Sequence, residues 1–491
     1  NLSDLFPAGA GKQVSFTADG AISAAGKPVI LNGAGTVTEV GESTGSESLG
    51  SPVVASTGTT IYQKSAVYDA ASGKMVLVYI DNSSKDVFAA VGTISGTTIS
   101  WGTPVTVAGA ITADNHPQIC YDPDTEQVII AYEVQSAQTY VVTGKVSGTT
   151  ISFGTPVAID SATGMWDFTV AYNVAESKGL VVYGSGSLGS FSGRAKVITV
   201  TGTAISLGVV EYWNTSAYVN NNHFCATYDS NAGSIVFANQ SNANTGKAAV
   251  FTISGTTVSA GTFTQYTTGN TTGTSITYDS TSQKIVTASR ETSTTYGSSA
   301  VGTVSGTSIS FGTPVTFESS NVTADSVRCA YGGTAAGAVT NIVFAPTSDN
   351  YQRYINGTVS GTSISFNTAA RAYSDNATTS SGNISTATSG KVLLIIVPSS
   401  TVGGLTDNYV YGAVLQNVAT TTNLTSTNFV GIADAGIATS ATGTIVVQGG
   451  TATGLTSLTI ASNYYVQNDG TITTVSSSVN AGLAISTTSL L

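Results

Sequence analysis

The chain has 491 residues, only 9% of them charged, and a net charge of −11 at pH 7. Globular domains typically hold about 25% charged residues, so Ser, Thr, Asn and Gly must carry much of this polar surface. The acidic balance offers no basic face for nucleic acid or anionic membrane, and no run approaches the ~20 apolar residues of a membrane helix.

In chain order, residues 1–46 contain one strand-rich stretch, 19–37, with the motif Gly-Lys-Pro-Val-Ile-Leu-Asn-Gly-Ala-Gly-Thr-Val at its end. Residues 47–418 are repetitive. The pattern Gly-Thr-Ile-Ser-Gly-Thr-Thr-Ile-Ser-Trp-Gly-Thr-Pro at 92–104 returns at 144–156, 197–208, 250–261, 302–314 and 357–367. Its turn glycines are Gly96, Gly148, Gly202, Gly255, Gly306 and Gly361, spaced by 52, 54, 53, 51 and 55 residues. A near-constant period of this size means one supersecondary unit repeated.

Each unit holds four runs that alternate apolar residues with Ser or Thr, the period of a half-buried strand. In the fifth unit these are 275–279, 284–289, 299–305 and 308–317. Four antiparallel strands in each unit predict an all-β fold, a β-propeller with four-stranded blades. Tyr-Asp pairs close the first strands at Tyr68-Asp69, Tyr121-Asp122, Tyr228-Asp229 and Tyr278-Asp279, with Tyr172-Asn173 and Tyr331-Gly332 as degenerate copies. The Tyr is expected to pack between blades and the Asp to cap the following turn.

A seventh unit has first, second and third strands at 382–389, 391–397 and 408–416 but no fourth. The missing motif appears at 48–54 as Ser-Leu-Gly-Ser-Pro-Val-Val. The expectation is a seven-bladed propeller closed by this N-terminal strand, which pairs with 408–416. Residues 419–491 supply further strand-like runs at 429–433, 443–447, 463–472 and 482–486. Together with 1–46 they are expected to make one small all-β module, with 20–40 and 428–490 in a single sheet.

Loops joining second to third strands, and one blade to the next, differ in every unit, and variable loops on a rigid scaffold carry specificity. Trp166, Asp167, Tyr212, Trp213, Tyr218, Asn222, Tyr296, Tyr351 and Arg353 fall there. Aromatic faces beside amides and carboxylates suit sugar rings, so these residues are the candidate ligand-binding face.

Other chemistry is sparse. His116 and His223 are the only histidines, Cys120, Cys225 and Cys329 have no metal-ligand spacing, and Asp114, Asp160, Asp325 and Asp375 form no calcium loop. No metal, cofactor or disulfide is expected. The Ser-x-Asp-x-Gly-x-Thr-Trp box of sialidase-type propellers is absent, and no pair of facing carboxylates can be assigned from sequence. The expectation is therefore a protein that is not an enzyme.

In order, Gly-Lys-Pro-Val-Ile-Leu-Asn, Phe-Val-Gly-Ile-Ala, Tyr-Tyr-Val-Gln-Asn-Asp-Gly-Thr and Gly-Leu-Ala-Ile-Ser resemble a small module of tailed-bacteriophage fibre and virion surface proteins. The repeat Gly-Thr-Val-Ser-Gly-Thr-Ser-Ile-Ser-Phe-Gly-Thr-Pro-Val resembles those in virion proteins of aquatic phages. The resemblance implies a propeller inserted in one loop of the module, and a fibre or decoration protein on the virion surface. It also implies a homo-oligomer, a trimer by likeness to such fibres, that touches other virion proteins through the terminal module. A host surface glycan is the expected receptor. A virion protein released by lysis needs no signal peptide, and none is seen; from the leading Asn, further residues are expected before it. A secreted bacterial adhesin or filament subunit is the second reading, and a polysaccharide-degrading enzyme on the same scaffold the third.

Overall fold

Alternation of β-branched residues with Ser and Thr produces strands throughout, and the computed structural model is all-β, built of many small antiparallel sheets. It describes the chain outside residues 1–12, 45–46, 58–60, 82, 110–116, 135–137, 161–164, 188–189, 215–223, 242–243, 325, 333–338, 348–351, 372–382, 388–389, 399–404 and 418–419. Two compact units result, one of residues 47–418 and one of 1–46 with 419–491.

The first repeat shows how the larger unit is made. Ile61–Asp69, Lys74–Asp81, Asp86–Ser95 and Thr98–Trp101 lie side by side in chain order. Val105–Ala108 then resumes pairing with the third strand. The gap holds Pro104, which has no N–H to give a ladder. Gly96 opens the two-residue turn before the fourth strand at φ 60°, and its five counterparts lie between 59° and 62°. That left-handed geometry matches the turn to the twist of the strands and favours glycine.

Second strands are buried on both faces, and alternate residues serve different neighbours. Val76, Val78 and Ile80 pack with Val128 and Ile130 of the second repeat. Met75, Leu77 and Tyr79 pack with Leu393 and Ile395 of the seventh. Each first strand contacts the first strand of the next repeat, and Asn383–Thr386 contacts Ile61–Asp69.

A glycine in each Gly-Thr-Pro segment, or its variant, explains the tight outer joints. A Cβ on Gly102 would come within 3.0 Å of the Thr149 carbonyl in the next repeat, as would one on Gly154 against Thr203, Gly208 against Thr256, Gly261 against Thr307 and Gly312 against Thr362. Gly50 meets Thr97 of the first repeat in the same way. Asn367 holds this place in the sixth repeat, and the seventh has no turn to meet it.

The clasp pairing follows the sequence expectation. Leu415 pairs with Leu49, Gln416 with Ser48, Tyr411 with Val54 and Gly412 with Val53. Glu47, just ahead, accepts hydrogen bonds from the Tyr354 hydroxyl at 2.6 Å and from the Asn356 amide of the sixth repeat. One departure concerns repeats four and five, which share a nine-stranded sheet. The Thr-rich strand Thr264–Asp279 runs through both, pairing first with Thr245–Ser254 and then with Lys284–Glu291.

The smaller unit corrects the single-sheet expectation. One five-stranded sheet takes Gln13–Thr17, Thr442–Val447, Phe429–Ala433, Pro28–Leu31 and Val37–Glu39 in that order. Asn463–Val466 and Asn480–Ser486 form a separate four-stranded sheet with Ile472–Thr473 and Ser489–Leu490. A local turn at Asp469-Gly470, with Gly470 at φ 80°, folds this segment onto itself. Ile432 and Val446 of the first sheet pack on Tyr464, Ala484 and Leu490 of the second.

Candidate functional site

First strands of all seven repeats line one cavity of about 250 Å³. It lies at their N-terminal halves, the side on which the inter-repeat connections arrive. Three of these strands shift register there, between Ile61 and Lys64, between Met165 and Phe168, and between Thr272 and Ser275. Such bulges bend a strand and re-aim its side chains, and they gather beside functional sites.

Lys64, Asp167 and Arg328 bring charge to the wall, and Gln118, Thr274 and Asn383 bring amide and hydroxyl groups. Lys64 is only 2% exposed. Burial, reinforced by the Arg328 charge, lowers its pKa to about 7, because desolvation and a neighbouring cation both disfavour the ammonium. Asp167 is held as an acceptor: Oδ2 takes the Phe224 N–H at 2.7 Å and Oδ1 the Phe168 N–H at 2.8 Å. The Asn383 amide donates to the Lys64 carbonyl at 2.7 Å, tying the seventh repeat to the first.

Cys225 and Cys329 also line the cavity. Burial raises the Cys225 thiol and pushes that of Cys329 up to about 12, and burial raises Cys120 likewise. All three are free thiols that stay protonated near neutrality and so are weak nucleophiles. Among the described residues no group of three His, Cys, Asp or Glu is placed to hold a metal ion. The arrangement can hold a small polar ligand by two cations, one carboxylate and several neutral hydrogen-bonding groups.

The sequence candidates are scattered by the fold. Asp167 reaches the cavity. Trp166 shares its strand, Met165–Asn173, within the register shift. Trp213 packs among Phe224, Phe237, Phe251 and Phe263, with ring centroids 5.2–6.4 Å apart, and its Nε1 donates to the Arg194 carbonyl at 3.0 Å. Its ring belongs to the core rather than to a ligand face. Tyr212 is 49% exposed, with the Arg194 guanidinium 5.1 Å from its ring centre. Asp160 forms an ion pair with Arg194 at 2.6 Å.

Tyr296 is 38% exposed, and Arg353 begins the third strand of the sixth repeat, Arg353–Ser360. Tyr218, Asn222, Tyr351, His116, His223, Asp114, Asp325 and Asp375 lie outside the described residues. The cavity residues Lys64, Gln118, Thr274, Arg328 and Asn383 escaped the sequence reading. The available signal was a lysine and an arginine in first strands, four residues before Tyr68 and three before Tyr331.

Tyr-Asp markers hold repeats together. Asp122 accepts the N–H groups of Asp124 and Thr125 at 2.9 and 3.2 Å, and Asp69, Asp229 and Asp279 cap their own turns alike. Tyrosine of the following repeat reaches back to that turn: Ala71 N–H donates to the Tyr121 hydroxyl and Ala175 N–H to the Tyr228 hydroxyl, both at 3.1 Å. The Tyr172 hydroxyl donates to Asp124 at 2.7 Å.

No protein-family profile matches the chain, and no curated protein matches it. Similar solved structures include the NanB sialidase of Streptococcus pneumoniae, at 9% identity over 73% of this chain and 68% of that one, with a TM-score of 0.45. AofleA from Arthrobotrys oligospora is 11% identical over 69% of this chain and 92% of its own, with a TM-score of 0.41. The Aleuria aurantia lectin, solved with Fucalpha1-6GlcNAc, is 14% identical over 64% of this chain and 98% of its own, with a TM-score of 0.40. The expectation that the chain is not an enzyme is withdrawn, because sialidases stand among these structures.

Proposed function

We propose that residues 47–418 are a seven-bladed β-propeller, closed by Ser48–Leu49 and Val53–Ser56, that binds glycan in its central cavity. The observation that carries the binding reading is the cavity itself, to which six of the seven first strands contribute charged, amide or hydroxyl side chains and the fourth a thiol. Sites for small ligands are concave, with a few placed polar groups that fix orientation. Seven blades are supported by the succession of first-strand contacts and by the Gly50–Thr97 joint.

The protein is then a virion surface component, extracellular once the particle is released, that offers this propeller to a host glycan. That reading rests on the virion-protein resemblance of both the repeat and the split module. Association as a homotrimer is assigned to the terminal module. It leaves Ile460, Val475, Leu483, Ile485 and Leu491 at least 40% exposed, and Leu483 and Leu491 border a groove of about 560 Å³. Apolar surface of this kind is what subunit contacts cover.

The test is a panel of host surface oligosaccharides probed with the full chain. Saturable binding lost on changing cavity residues is expected; binding that persists in those variants, or none at all, refutes the site. Immunogold labelling of purified virions tests location, and label confined to bacterial cells would favour the adhesin reading.

A further inference from the structure

We propose that the outer face of the strand Asn480–Ser486 is covered by a second copy of this chain, each copy laying the strand against its counterpart in a neighbour. The inference rests on the reading above that the terminal module carries self-association, and names the surface that does it. Antiparallel sheets with one solvated face turn apolar residues inward and polar ones outward, and the repeats keep this rule. In their fourth strands Thr98 and Ser100 are exposed on either side of buried Ile99, and Ser308 and Ser310 on either side of buried Ile309. Asn480–Ser486 alternates in the same way but with the residue types reversed. Leu483 and Ile485 are 40% and 44% exposed, and Ala484 between them only 1%.

Burial of Leu or Ile stabilises a fold far more than burial of Ala, so a strand that faces Leu and Ile outward has a further layer for them to meet. The patch does not stop at one strand. Leu491 is 51% exposed and is joined to Leu483 by two backbone hydrogen bonds, Leu483 N–H to the Leu491 carbonyl at 3.0 Å and Leu491 N–H to the Leu483 carbonyl at 2.9 Å. On the other flank Leu483 stands opposite Asn463, also exposed. Charge names the occupant. Residues 435–491 hold one charged side chain, Asp469, in the turn between Asn463–Val466 and Ile472–Thr473. Two chains of net charge −11 repel each other. A face without charged side chains lets them meet with no like charges opposed, and it offers a basic partner nothing to pair with. The cores of protein interfaces are depleted in charged residues in the same way.

The test is sedimentation velocity of the full chain over a range of concentrations, and multiples of the 49.4 kDa chain mass are expected. Leu483→Thr with Ile485→Thr restores the residue type that the repeats place outward, and should raise the dissociation constant about tenfold or more. Ile460→Thr with Val475→Thr removes two other exposed aliphatics of the module and should leave the assembly as it was. Assembly that survives the first pair and is lost with the second overturns the proposal, while assembly through the module still stands. Assembly that survives both pairs overturns the proposal and points away from the module. A chain at monomer mass at every concentration overturns both readings and leaves the face to a different partner. Circular dichroism checks each variant, and Ile485→Thr alone carries the test if the double variant does not fold.

Discussion

Replacing Lys64 by Met should stabilise the larger unit, by an amount that depends on pH in a defined way. The lysine is buried, and its pKa falls from 10.5 to about 7 in the folded chain. At ~1.36 kcal/mol per unit the shift corresponds to about 5 kcal/mol. Below pH 7 both folded and unfolded chains hold the proton, so the folded state bears the full cost of a buried ammonium. Between pH 7 and 10.5 the unfolded chain binds the proton that the folded chain has released, and wild-type stability rises through that window.

Lys64→Met removes this contribution. The variant should exceed wild type by up to about 5 kcal/mol at pH 6, and the two should converge towards pH 10.5. Other groups titrate equally in both proteins and cancel in the difference. Guanidinium unfolding followed by tryptophan fluorescence suits the test, because Trp101, Trp166 and Trp213 all lie in residues 47–418. A variant less stable at pH 6, or a difference that does not change with pH, would refute the reasoning.

Gly50→Ala should cost about 1–3 kcal/mol by forcing the clasp away from Thr97, seen as a lower denaturation midpoint; an unchanged midpoint would place the joint elsewhere. Trp213→Ala should cost roughly 3–5 kcal/mol through the cavity it leaves among four phenylalanines, while Tyr212→Ala, half exposed, should stay within about 0.5 kcal/mol. Thermal unfolding separates the two. Leu483→Asp with Leu491→Asp should release monomers in light scattering, and an unchanged mass would move the subunit contact away from this groove.

How much of this was legible depends on what varies between repeats. Turn glycines such as Gly96 and Gly306 stand at one phase because the turn needs left-handed φ, and Gly102 and Gly312 because a crowded joint admits no Cβ, so the period could be read directly. The clasp was legible because Ser-Leu-Gly-Ser-Pro-Val is a displaced copy of an intact motif. Cavity residues were hidden for the opposite reason. Lys64 and Arg328 occur once each, with no counterpart in the other repeats to mark them, and Asp167, which the sequence did offer, falls within the register shift between Met165 and Phe168. Trp213 looked like a loop aromatic, yet Glu211–Asn214 is a strand that lays the indole over the Gly193 backbone. In the module, alternation announced strand-like runs at 463–472 and 482–486, but the local turn at Gly470 splits the first into Asn463–Val466 and Ile472–Thr473 and sets its partners.

The central claim is that one cavity, shared by seven first strands, is where ligand binds. A density map of the full chain soaked with its best-binding sugar tests it most directly. The account predicts seven sheets around one axis, with sugar density against Lys64 and Arg328. Sugar bound in the groove beside Leu483 and Leu491, on the exposed Tyr212 surface alone, or within a ring of six or eight sheets would contradict it.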